Sequence, residues 1–94
     1  MRFTEFWEFC PEDMDKVIAK NKLSAEISQK EPEKFGEYLF PSQVTGYCKG
    51  FSIIEATQEQ IRNMNVFWFP ELKMKFVTCD DVSNWIEAYM KTKK

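Results

Sequence analysis

The order of segments along this chain predicts an α+β sandwich, with helices on one face of an antiparallel sheet. Three observations carry that expectation. Short aromatic and β-branched runs alternate with longer runs at helical spacing, in the order β-α-β-β-α-β. An amphipathic stretch then follows as a closing helix. The length of 94 residues leaves room for one core, so residues 1–94 are read as a single domain.

The first strand is read at Phe3 to Phe9. A period of two puts Phe3, Glu5, Trp7 and Phe9 on one face, and Thr4, Phe6 and Glu8 on the other. Large apolar groups on both faces predict a central strand. Cys10-Pro11 ends it, and Pro11 opens a helix whose positive end suits Glu12, Asp13 and Asp15. Met14, Val17, Ile18 and Asn21 recur at helical spacing. Leu23 and Ile27 fall off that stripe, which predicts a bend or restart near Ser24. Glu31-Pro32 ends the element.

Phe35 to Phe40 reads as the second strand, with Pro41 marking an edge position. Ser42 to Gly50 reads as a hairpin connection. Phe51 to Ala56 is the third strand, with Ser52, Ile54 and Ala56 toward the helices and Phe51, Ile53 and Glu55 away from them. Thr57 and Gln60 form a capping box that starts the second helix. Ile61, Met64, Asn65 and Trp68 share its stripe, and Pro70 ends it. Leu72 to Cys79 is the fourth strand. Asp80 and Asp81 open a last helix with the stripe Val82, Trp85, Ile86 and Tyr89.

Nine Phe, three Trp and three Tyr make a small core feasible, since each large ring buries ~150–250 Å². A net charge of −2 with no basic field argues against nucleic acid as a partner. No apolar run reaches the ~20 residues of a membrane span, so no membrane partner is expected. Glu5 stands where a signal peptide would be apolar. The three cysteines are widely spaced, as suits reduced thiols. Together these features predict a cytoplasmic protein. Without histidine, paired cysteines, a Gly-rich phosphate loop or a Ser/His/Asp set, no metal and no cofactor are expected.

Several short motifs add a resemblance. Trp7-x-Phe9-x-Pro11-Glu12-Asp13, Gly50-Phe51-Ser52-Ile53-Ile54-Glu55-Ala56, Trp68, and Phe76-Val77-x-x-Asp80 resemble a family of short uncharacterised proteins, a domain of unknown function. The resemblance covers most of the chain. It implies a ferredoxin-like fold of the dimeric α+β-barrel superfamily, in which two sheets face each other around a cavity. That superfamily spans cofactor-independent monooxygenases, haem-handling enzymes, isomerases and small-ligand sensors, and fold alone does not choose among them. Many relatives carry a histidine near the position of Leu39-Phe40. This chain has none, which argues against histidine-dependent chemistry, including haem ligation.

In a ferredoxin-like order the first and third strands lie side by side. With Phe9 set near Phe51, Trp7 falls near Ile53 and Glu5 near Glu55. Two carboxylates on one apolar face raise each other's pKa, so Glu5 and Glu55 are the catalytic candidates. The simpler alternative pairs Glu5 with Lys73 or Lys75. Phe3, Trp7, Phe9, Phe51 and Ile53, with Tyr38 or Phe40, are the ligand-binding candidates on the open face, with Trp68 beside one mouth of the cavity. The alternative makes these rings the centre of a dimer interface. Cys10 and Cys48 fall at one end of the sheet and Cys79 at the other, with inert thiols as the default.

The leading expectation is a homodimer that binds a small apolar ligand or a partner through its aromatic sheet face. The alternative is a cofactor-independent enzyme, of monooxygenase or isomerase type, acting on a hydrophobic small molecule. A third possibility gives the last helix to a protein partner.

Overall fold

The computed structural model describes residues 1–93. Strand β1 (Arg2–Glu8) occupies the middle of a four-stranded antiparallel sheet, between β3 (Lys49–Glu55) and β4 (Lys73–Thr78). Strand β2 (Glu37–Gly46) pairs with β3 at one edge, giving the order β2-β3-β1-β4. A single 3-10 turn at Pro11–Asp13 leads into α1 (Met14–Lys30). Helices α2 (Gln58–Trp68) and α3 (Val82–Thr92) complete an α+β architecture.

The core lies between one sheet face and α2. Phe3 and Ile54 from the sheet and Ala56, just past the end of β3, meet Ile61, Met64 and Trp68 from α2, with Phe35 closing one end. The reciprocal capping box forms as the sequence predicts: Gln60 N–H donates to Thr57 Oγ1 at 3.1 Å, and Thr57 N–H donates to Gln60 Oε1 at 2.9 Å. Such a cap stabilises a helix by about 1 kcal/mol.

Helix α1 is continuous through Ser24, contrary to the expected bend. It buries no residue fully, and only Val17 and Ile27 pack against the core. The shift of its apolar stripe therefore reflects two different neighbours rather than a break: core near Ile27, open space near Met14 and Ile18.

Two further expectations change. The second strand does not stop at Phe40 but runs through Pro41 to Gly46. Pro41 is tolerated because β2 is an edge strand, where its missing N–H costs no ladder bond. The hairpin turn is then only Tyr47-Cys48, with Cys48 at φ 60°. Helix α3 is exposed along its whole length, including Val82, Trp85, Ile86 and Tyr89. Its start is tied to the sheet by Arg2 Nη1, which donates to Asp81 Oδ1 at 2.9 Å.

Among the described residues, no helix is long and apolar enough to cross a membrane.

Candidate active or ligand-binding cleft

The register of β1 against β3 decides which side chains can meet. Phe3 stands opposite Ile54, Glu5 opposite Ser52 and Trp7 opposite Gly50. This pairing differs by an odd number of residues from the alignment of Glu5 with Glu55, so it transfers a whole face. Phe3, Glu5 and Trp7 point toward the helices, with Ser52, Ile54 and Ala56. Phe51, Ile53 and Glu55 point to the opposite face, with Thr4 and Phe6.

The carboxylate pair is therefore not formed. Glu55 lies at the sheet's end on the far face, where Oε2 pairs with the amino group of Met1 at 2.6 Å. Glu5 does not pair with Lys73 or Lys75 either. Lys75 is opposite Phe6 and Lys73 opposite Glu8, both on that far face. The aromatic candidates divide in the same way. A bulge between Tyr38 and Phe40 inverts the alternation of β2. It sends Tyr38 toward Glu5 and Phe40 onto Phe51, with ring centroids 6.2 Å apart.

Behind the sheet, five of the candidates converge. Glu5, Trp7, Phe9, Tyr38 and Trp68 line one cavity of about 230 Å³ between the sheet and α1. Met14, Val17, Ile18 and Asn21 supply the helical wall, and Leu72, Met74 and Ser42 complete it. Phe3 is next door in the sealed core, 6% exposed, with its ring edge-on to Phe76. Phe51 and Ile53 take no part in the cavity.

Each wall has a local cause. Trp7 approaches β3 closely because Gly50 is opposite: a Cβ there would sit 2.5 Å from Trp7 Cζ2 and run into the Gln43 carbonyl oxygen. Phe9 stacks on Trp7, centroids 6.1 Å apart and planes 15° apart. Trp68 is presented by the last turn of α2, and Phe67 beside it packs on Phe35. Helix α1 is fixed over the cleft by Lys20. Its Nζ donates to the carbonyls of Phe67 and Phe69 at 2.9 and 3.0 Å, and pairs with Glu71 Oε1 at 2.5 Å. An ammonium at those terminal carbonyls also complements the α2 dipole.

The polar floor is Glu5, 2% exposed. Ser52 Oγ donates to Oε1 at 2.9 Å, and Tyr38 Oη donates to Oε2 at 3.4 Å. Among the described residues, no Lys or Arg pairs with it. Burial pushes its carboxyl above the ordinary carboxylate range, and the two hydroxyl bonds offset part of that rise. Burial and the Glu5 charge push the Tyr38 hydroxyl up as well, so it stays protonated and able to donate. The site thus holds one acid with a raised pKa and the Tyr38 hydroxyl at the bottom of an aromatic cleft, with Ser52 bonding the acid from behind.

The helical wall of Met14, Val17, Ile18 and Asn21 was visible in the sequence as a stripe, though not as part of a site. Its signal was Asn21, a polar residue where a core-facing stripe would stay apolar. Ser42 and Met74 carry no comparable sequence signal. The cysteines fall as expected along the sheet. Phe9 N–H donates to Cys48 O at 3.0 Å at one end, and Cys79 N–H to Arg2 O at 3.0 Å at the other. Among the described residues, no three His, Cys, Asp or Glu side chains gather as a metal site.

Comparison with known proteins finds no matching family model, no matching curated protein and no matching solved structure.

Proposed function

We propose that this chain is a small-molecule binding module that seats an apolar ligand in the cleft between α1 and the sheet. The observation that carries the reading is the convergence of Trp7, Phe9 and Trp68 around a cavity floored by Glu5. An apolar cavity with a few convergent polar groups, one of them with a perturbed pKa, is the usual form of a ligand site. At about 230 Å³ it is smaller than the ~300–1,000 Å³ typical of drug-sized sites.

The test is a calorimetric titration with the neutral probe 2-phenylethanol, against the wild type and Ile18→Trp. Ile18 lines the cleft, is 47% exposed and does not pack against the core, so the larger ring can fill the cleft without entering the core. Binding by the wild type alone supports the reading. Equal heats from both proteins, or none from either, contradict it.

The strand order β2-β3-β1-β4, with both crossovers helical, supports a ferredoxin-like reading and is compatible with the resemblance to the dimeric α+β-barrel superfamily. A cytoplasmic homodimer is part of the same proposal. Two apolar surfaces lie uncovered: Phe6, Phe40 and Val77 with the partly buried Phe51 and Ile53 on the far sheet face, and Trp85, Ile86 and Tyr89 on α3. A two-fold pair of chains would bury both kinds of surface by one self-complementary contact. The enzyme alternative keeps Glu5 as its proton carrier without Glu55 as partner, because the two stand on opposite faces.

A further inference from the structure

The composition of the cleft floor narrows the class of ligand. Glu5 is an acid buried to 2% exposure with no cation beside it among the described residues. Burying a carboxyl this deeply is costly unless something offsets the charge or removes it. The two groups that bond it, Ser52 Oγ and Tyr38 Oη, are hydroxyls and can accept as well as donate. Ser52 is sealed beneath the cleft, so the floor presents the Glu5 carboxylate and the Tyr38 hydroxyl oxygen, both able to receive hydrogen bonds. Above it stand the indoles of Trp7 and Trp68 and the ring of Phe9. Aromatic faces beside a desolvated acid attract cations and bury hydrocarbon.

Acceptor-rich floors and aromatic walls fit one chemistry. Resting on the reading of this cleft as a ligand site, we infer that its ligand is a primary amine on a small aryl or alkyl body. The ammonium, with three donors and no acceptor, sits on Glu5 and Tyr38, and the apolar body lies against Trp7 and Trp68. An ammonium entering the site while Glu5 is protonated sends that proton to solvent, leaving an ammonium and a carboxylate in contact. No other reactant is needed. The same floor disfavours a carboxylate or phosphate ligand, whose charge would face that of Glu5.

The experiment compares three probes of equal heavy-atom count: 2-phenylethylamine, 2-phenylethanol and propylbenzene. Each is titrated by calorimetry at neutral pH into wild type, Glu5→Gln and Tyr38→Phe. The expected result is amine binding at least ~tenfold tighter than alcohol in the wild type, as a charge-assisted bond provides. Glu5→Gln removes that preference, and Tyr38→Phe reduces it severalfold with propylbenzene unchanged. Equal affinity for amine and alcohol in the wild type, or an amine preference that survives in Glu5→Gln, overturns the amine assignment. In both cases the cleft itself remains a ligand site. If none of the three probes binds the wild type, the binding-module reading falls, and the amine assignment with it. The Tyr38→Phe arm keeps the test decisive should Glu5→Gln fail to fold.

Discussion

Ser52 donates its hydroxyl to Glu5 Oε1 across 2.9 Å, between two central strands, where both residues are buried. This bond fixes the acid at the floor of the cleft and ties it to the β1–β3 register. A slip of one residue would carry Glu5 to the far face and leave Ser52 without its partner.

The first prediction concerns pH. Folding raises the pKa of Glu5 above its ordinary value of 4.5. The folded state then binds the proton more tightly than the unfolded chain. The contribution of Glu5 to stability is complete below 4.5 and is lost as pH rises through the raised folded value. Glu5→Gln, neutral at every pH, should lack that loss. Denaturant melts across the acid-to-neutral range should show the variant gaining on the wild type as pH rises. A gap of constant size at all pH values would mean that Glu5 titrates alike in both states.

The close approach of Trp7 to β3 gives the second. Gly50→Ala places a Cβ against both the Gln43 carbonyl and the Trp7 ring, and a backbone oxygen has little freedom to yield. The variant should lose about 1–3 kcal/mol, the usual cost of overpacking. Urea melts followed by tryptophan emission check it, with a shifted native spectrum marking the displaced indole.

How far the sequence disclosed this site can be judged from the same residues. The alternation of β1 showed that Phe3, Glu5 and Trp7 share a face, and the pattern Ser52, Ile54, Ala56 showed the helix-facing side of β3. What alternation does not contain is the register between strands. A strand with large groups on both faces fits either side of a sheet. Gly50 opposite Trp7 held the missing information, because only glycine lets an indole lie there. The bulge that separates Tyr38 from Phe40 left no local signature, since it arises from how β2 pairs with β3. By contrast the capping box, the end of α2 and the stripe of α3 were all legible, being set by residues a few positions apart.

Lys20 supplies the third prediction. Its ammonium joins α1 to the carbonyls of Phe67 and Phe69 and to Glu71. Lys20→Met keeps the apolar stem and removes those bonds. Amide hydrogen exchange in α1 should speed up by at least ~tenfold, the scale of losing hydrogen bonds to a charged donor. Exchange in β1 and β3 should stay slow. Uniform acceleration across the chain would show that α1 opens only with global unfolding.

The fourth addresses association. Trp85 is 69% exposed and Ile86 is 48% exposed, so replacing both by Lys removes nothing from the core. Stability of the isolated fold should change little, within about 0.5 kcal/mol per site. The wild type should sediment as a pair of 11.2 kDa chains and the double variant as one. A wild type that stays monomeric at micromolar concentration contradicts the homodimer.

The position of the ligand seat is the central claim, and chemical-shift mapping reads it most directly. With labelled protein and 2-phenylethanol, the account predicts movement of the Trp7 and Trp68 indole N–H signals and of the Val17 methyls, while Phe51 and Ile53 stay still. Movement confined to Phe51 and Ile53 would place the ligand on the far face of the sheet and contradict it.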